Sequence, residues 1–197
     1  MPYEAAVIGV SAGGIEALKV LLPPLPASIP LPIVIVQHRD SRSNGFLAEY
    51  LNRMSEVTVS EAEDKEPLCA GHAYLAPAGY HLLIESDRSF SLSADARVNY
   101  SCPSIDVLFE SAADAFQESL IGIVLTGANA DGAQGLKAIK ARGGVAIVQN
   151  PATAESPAMP HAALRATAVD HVVDLEALAP LLMRLSAFRE ELDGASR

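Results

Sequence analysis

Residues 5–22 read Ala5-Ala6-Val7-Ile8-Gly9-Val10-Ser11-Ala12-Gly13-Gly14-Ile15-Glu16-Ala17-Leu18-Lys19-Val20-Leu21-Leu22. The first six are uncharged and include Val7, Ile8 and Val10, which predicts a buried strand over Ala5–Val10. Beyond the glycine-rich turn, Ile15, Leu18, Leu21 and Leu22 recur at helical spacing, which predicts a helix over Gly13–Leu22 with those four inward. An apolar strand without alternation, followed by a tight turn and a helix, opens a βα unit whose sheet is covered on both faces.

The same rhythm continues outward from this segment. Ile33–Gln37 reads as a second buried strand, and Ser43 or Asn44 as the cap of a helix over Gly45–Met54 with Phe46, Leu47, Tyr50 and Leu51 inward. Val57–Glu61 and Ala73–Leu75 are short strands, and His81–Ile84 with Ser89–Ser93 form an antiparallel hairpin around Ser86, Asp87 and Arg88. Pro103 is placed at the start of a helix carrying Ile105, Leu108, Phe109, Ala112 and Phe116. Ile121–Leu125, helix Gly132–Arg142 and strand Val145–Gln149 follow, then a short helix near His161–Ala166, strand His171–Val173 and helix Leu175–Leu185. The fold class is α/β, with a largely parallel sheet, flanking helices and one hairpin. No repeat or linker divides the chain, so residues 1–186 are expected to form one domain, with 187–197 as a C-terminal tail.

Composition narrows the function. The 197 residues are 50% hydrophobic and 19% charged, which excludes a disordered chain. A net charge of −10 argues against general binding to DNA or an anionic membrane. No basic segment precedes the first apolar run, and the 18 uncharged residues Val20–Gln37 contain five prolines, so neither a signal peptide nor a spanning helix is expected. Two cysteines, Cys69 and Cys102, are too few for a disulfide framework, and a reducing, cytoplasmic setting is expected. Cys69, His72, His81 and Cys102 are too scattered, and lack the paired Cys-x-x-Cys, for a zinc site to be read from them.

Ligands of an open parallel sheet bind beyond the carboxyl ends of its strands, which singles out Gly9-Val10-Ser11-Ala12-Gly13-Gly14. Phosphate binding fits poorly: the P-loop Lys-Ser/Thr pair is missing, Ser11 stands where a dinucleotide motif wants glycine, and strand two ends in Gln37-His38 rather than an acid. Gly9-x-Ser11-x-Gly13 instead fits a nucleophile elbow, although Ser11 could equally be a helix N-cap. A serine nucleophile needs a base. His38 follows strand two and is preferred; His161, in the loop after Val145–Gln149, is held in reserve. Asp131, after the strand Ile121–Leu125, is the candidate to orient the base, with capping of the following helix as its alternative role.

Several segments together resemble the catalytic domain of the chemotaxis protein-glutamate methylesterases (CheB), over about residues 5–174: Ile8 through Gly14, Val36-Gln37-His38, Ala73 through Pro77, Pro103-Ser104-Ile105-Asp106-Val107-Leu108-Phe109, Leu125 through Gly132, and Pro151-Ala152-Thr153-Ala154-Glu155. The resemblance implies a doubly wound, mostly parallel sheet, with Ser11 as nucleophile, His38 as base and Asp131 as its carboxylate partner. It implies hydrolysis of glutamate γ-methyl esters on the cytoplasmic helices of chemoreceptors, deamidation of receptor glutamines, and no metal or organic cofactor. Backbone amides of Ala12, Gly13 and Ala128 are the candidates for an oxyanion hole, and Arg39 for a substrate contact. A separate response regulator or other chemosensory protein is a candidate further partner.

The chain departs from the family pattern at Ala12 (a hydroxyl residue expected), Ala128 (methionine), Cys102 (arginine) and Arg39 (apolar). The receiver domain that commonly precedes this one is also not in it. These departures bear on selectivity, and they set up an alternative in which the fold is kept as a nonenzymatic docking module. Residues 55–66 carry a net −4 and residues 174–193 a net −3, so most of the negative charge lies away from the candidate site. The expectation is an acidic body with a neutral-to-basic approach to Ser11, suited to a glutamate-rich helix.

Overall fold

The computed structural model describes residues 3–39 and 45–187. Seven parallel strands form the central sheet: β1 (Ala5–Val10), β2 (Ile33–Gln37), β3 (Thr58–Glu61), β4 (His72–Leu75), β7 (Leu120–Val124), β8 (Val145–Gln149) and β9 (His171–Val173), in the order β3-β4-β2-β1-β7-β8-β9. Strands β5 (His81–Ile84) and β6 (Phe90–Ser93) pair antiparallel as a separate hairpin. From central β1 the chain builds outward through β2 on one side and β7 on the other, so the order reverses between β1 and β7. That is the crevice where open sheets of this kind bind ligands.

Both faces of the sheet are buried, as continuous apolar strands require. Ala6, Ile8 and Val10 of β1 pack in one core with helices α1 (Gly14–Leu21), α2 (Phe46–Asn52) and α6 (Leu178–Ala187). Ala5 and Val7 point the other way, into a core built from α3 (Ile105–Phe116), α4 (Ala133–Ala141), α5 (Ala158–Ala166) and the hairpin. Short 3-10 turns at Gln117–Ser119, Pro151–Thr153 and Leu175–Ala177 complete the connections.

Several expectations need correction. Ile15 is exposed, because the buried stripe of α1 is Gly14, Ala17, Leu18 and Leu21; one position off that stripe turns Ile15 away from the sheet. Phe46 is also exposed, at 62%, since α2 buries Ala48 and Leu51 while Phe46 stacks along the helix on Tyr50. Pro103 lies before the helix rather than at its first position, with Ser104 as the N-cap of α3. The capping residues proposed for α2, Ser43 and Asn44, lie outside the described residues, as does the tail beyond Ala187; α6 itself runs one residue past the expected domain end at 186.

One contact of α3 with the sheet positions the site. Ile105, the first residue of α3, packs against Gly9 so closely that a Cβ there would collide with its side chain. A methyl group at Gly9 must therefore push the start of α3 off β1. Gly9→Ala is expected to destabilise the fold by about 1–3 kcal/mol, the usual cost of overpacking, read as a lower urea midpoint at unchanged m-value.

Candidate active site

Ser11, His38 and Asp131 follow β1, β2 and β7, three adjacent strands, at their carboxyl ends. The sheet ladder continues past the strands to fix them: Ser11 N–H donates to Thr126 O (2.9 Å), His38 N–H to Val10 O (3.1 Å) and Leu125 N–H to Gly9 O (2.9 Å). Turn geometry then presents the serine. Gly13, the N-cap of α1, has φ 76°, a left-handed conformation that glycine adopts without steric cost, so the chain reverses directly behind Ser11. Gln37 donates from one amide nitrogen to Ser11 O (3.0 Å) and His38 O (2.9 Å), tying the two turns together. Thr126 Oγ1 donates to Ala12 O (2.8 Å) from the other side.

The side chains form one connected chain. Ser11 Oγ lies 3.1 Å from His38 Nδ1, and His38 Nε2 lies 2.8 Å from Asp131 Oδ2. Asp131 is fully buried. Its Oδ2 also accepts Ile105 N–H (2.7 Å), while Oδ1 accepts Asn99 Nδ2 (2.9 Å), Ser104 Oγ (2.9 Å) and Asp106 N–H (3.2 Å). Burial alone pushes the carboxyl pKa up, but donation from His38, Asn99, Ile105 N–H and Ser104 outweighs it and holds Asp131 below the ordinary carboxylate value. An ionised Asp131 only accepts, so Nε2 of neutral His38 carries the proton and Nδ1 is left as an acceptor for the Ser11 hydroxyl.

Asp131 does cap a helix, though not the one expected. The N-cap of α4 is Gly132, whereas Asp131 receives the first two amides of α3 from across the site. The N-terminal dipole of α3 thus faces the carboxylate. Beside it, buried Asp106 accepts Gly135 N–H (2.7 Å) and Asn99 Nδ2 (2.7 Å). Burial raises the Asp106 pKa, and the neighbouring Asp131 charge adds to this against lowering by the Gly135 amide and Asn99.

The other candidates divide. His161 is exposed on α5, and the imidazole facing Ser11 is that of His38. Ser11 N–H and Gly127 N–H are consumed by Thr126 O and Ser156 O, whereas the amides of Ala12, Gly13 and Ala128 have no acceptor among the described residues. Arg39 lines a cleft of about 330 Å³ with His38, Arg97, Tyr100, Ser101, Cys102 and Pro103. Its Nη2 is held by Glu61 (2.5 Å) and Ala76 O (2.8 Å). On this flank Arg97 stands beside an Arg39 already paired with Glu61, and Glu155 lies against Gly13 on the other, so the local charge is mixed rather than uniformly neutral-to-basic. Among the described residues, no group of three or more His, Cys, Asp or Glu side chains is placed to hold a metal ion.

Sequence reasoning did not single out Gln37, Asn99 or the buried His81. Gln37, Ser104 and Asp106 lie in segments that carried the family resemblance, a usable signal; Asn99 and His81 sit in an irregular stretch and a hairpin where no spacing rule points to them.

The model of the CheB methylesterase family matches residues 6–182. A putative protein-glutamate methylesterase/protein-glutamine glutaminase of Leptospira interrogans is 55% identical over 185 residues, covering 94% of this chain and 96% of the relative. A protein-glutamate methylesterase/protein-glutamine glutaminase of Hahella chejuensis is 40% identical, and the match covers 92% of this chain but 47% of that longer protein. The CheB methylesterase catalytic domain of Thermotoga maritima superimposes with a TM-score of 0.90 at 32% identity, covering 94% of this chain and all of that one. Agreement over nearly the whole length, in sequence and in fold, settles the kinship: the chain belongs to the CheB methylesterase family.

Proposed function

We propose that the chain is a serine hydrolase that cleaves glutamate γ-methyl esters on the cytoplasmic helices of chemoreceptors, acting in the cytoplasm, and that it deamidates receptor glutamines by the same chemistry. The observation that carries this reading is the unbroken connection Ser11 Oγ–His38–Asp131, with the carboxylate fixed by four donors besides the imidazole. His38 Nδ1 takes the hydroxyl proton as Ser11 Oγ attacks the ester carbonyl carbon. Asp131 stabilises the imidazolium that results and keeps the ring from turning. The oxygen that gains charge is met by the amides of Ala12 and Gly13 at the start of α1 and by that of Ala128. As the tetrahedral intermediate collapses, the methoxy oxygen leaves with the proton from Nδ1 as methanol; with glutamine, ammonia leaves instead. Water, deprotonated by His38, then attacks the acyl-serine and releases the glutamate carboxyl group.

A protein substrate suits the surroundings. Ile15 and Phe46 are exposed in the first turns of α1 and α2, and Tyr80, Val98 and Tyr100 on the connections that follow β4 and β6. Arg97 adds positive charge to the adjoining cleft wall, where Arg39 is already paired with Glu61, and so favours an acidic helix beside the reacting ester. The substitutions at Ala12, Ala128 and Cys102 leave the catalytic chain connected, so nothing favours the nonenzymatic alternative.

Methanol release from a methylated chemoreceptor fragment tests the proposal. Ser11→Ala should lower kcat by roughly 10³-fold or more, and a fluorophosphonate probe should label wild type at Ser11 only. Undiminished release by Ser11→Ala would overturn the mechanism. Ammonia release from unmethylated fragment reads the deamidase activity separately.

Asp131→Asn should lower kcat on the order of 10³–10⁴-fold, since an amide cannot fix the same tautomer. The same variant reads stability. Because the native pKa of Asp131 lies below its ordinary 3.8, its contribution is complete above that value and is lost as the pH falls through the native pKa. The difference in urea midpoint between wild type and Asp131→Asn is therefore expected to be large at pH 7 and to shrink in strong acid.

A further inference from the structure

The segment from Ala96 to Ser104 is fastened at its base to the buried His81 and from its tip to Asp131. At its base, His81, only 1% exposed, donates from Nε2 to Ala96 O (3.1 Å) and accepts Ser104 N–H at Nδ1 (3.1 Å), closing the two ends of the segment on one imidazole. At its tip, Val98 and Ser101 exchange both backbone hydrogen bonds (3.1 and 2.9 Å) around Asn99 and Tyr100, whose φ values are 51° and 64°. Two central residues at positive φ make a tight primed turn, normally built from asparagine and glycine. Asparagine tolerates that conformation, but tyrosine is an uncommon and strained choice.

The two tip residues face opposite duties. Asn99 turns inward, and its single amide nitrogen donates to Asp131 Oδ1 (2.9 Å) and Asp106 Oδ2 (2.7 Å), using both of its protons to bridge the two carboxylates. Tyr100 turns outward, 95% exposed, into the wall of the cleft that also contains His38. A backbone shift at the outer residue passes through the turn to the inner one, because adjacent residues share a peptide plane and the turn is closed by two hydrogen bonds.

We infer that Asn99 is a positioning residue that couples the seating of the 96–104 segment to the orientation of Asp131, while Tyr100 is a specificity residue that contacts the protein around the scissile ester. This rests on the hydrolase reading above. Removing the Asn99 amide leaves the Asp106 and Asp131 carboxylates facing each other without a bridge, which loosens the partner of His38 Nε2. Removing the Tyr100 ring strips contact area from a macromolecular substrate and little from a small ester.

The test compares two probes, a methylated chemoreceptor fragment and p-nitrophenyl acetate, with wild type and Ser11→Ala as references. Asn99→Gly keeps a residue suited to positive φ and deletes the side chain that carries the amide. It should lower kcat by about tenfold to a hundredfold on both probes, the scale of a lost charge-assisted hydrogen bond. Tyr100→Gly also suits the turn; it should raise KM for the fragment several-fold, so that preference for fragment over small ester falls. An Asn99→Gly enzyme with wild-type kcat on both probes, or a Tyr100→Gly enzyme with unchanged preference, would overturn the inference. If Asn99→Gly fails to fold, Asn99→Ala, which also lacks the donor and restrains the turn more than glycine, carries the same expectation. Failure of the underlying reading looks different: Ser11→Ala would then match wild type on both probes.

Discussion

The buried carboxylate of Asp131 is the interaction on which the rest of the site depends. A charge without exposure is tolerable only when its oxygens are fully provided with donors, and here five groups supply them. Two are the leading amides of α3, so the same contact that polarises His38 also starts a helix. The helix in turn carries Ile105, Leu108, Phe109 and Ala112 into the core beneath the sheet. Stability and chemistry are therefore not separable at this residue: loosening the carboxylate releases a helix, and displacing the helix unbalances the carboxylate.

That arrangement exists because of where the sheet reverses. Strands β2, β1 and β7 are neighbours in space, but His38, Ser11 and Asp131 are separated by 27 and 93 positions along the hydrogen-bonded chain. Parallel pairing delivers all three turns to one edge, and ladder bonds continuing beyond the strands hold them in register. The donors to Ser11 O and Ala12 O, from Gln37 and Thr126, come from those same neighbouring strand ends. The Ser11 turn is thus braced by its flanking strands as well as by its own Gly14 N–H to Ser11 O bond (2.9 Å).

Around this centre, much of the surface is built from connections between the regular elements. The 96–104 segment has no regular secondary structure, yet His81 and Asn99 tie it to the buried interior. Placing exposed side chains on a segment with buried anchors lets the outer surface change while the Ser11–His38–Asp131 geometry is kept. Ala12, Ala128 and Cys102 lie outside the strands and helices, on connections of this kind.

The amino-acid sequence by itself determined the architecture, because apolar runs such as Ala5–Val10 and Ile33–Gln37 can be buried on both faces only in a covered parallel sheet. It also determined the catalytic candidates, since Gly9-x-Ser11-x-Gly13 and His38 each adjoin such a run, and strand ends are where a parallel sheet exposes chemistry. Local pattern was less informative at helix ends: a hydrophobic spacing that admits Ile15 equally admits Gly14, and only packing against the sheet decides which faces inward. Which helix Asp131 caps, which histidine nitrogen faces Ser11, and how Asn99 joins two carboxylates were decided by tertiary structure alone. Each is a contact between residues far apart in the chain, set by directions and distances to which residue type and local periodicity are blind.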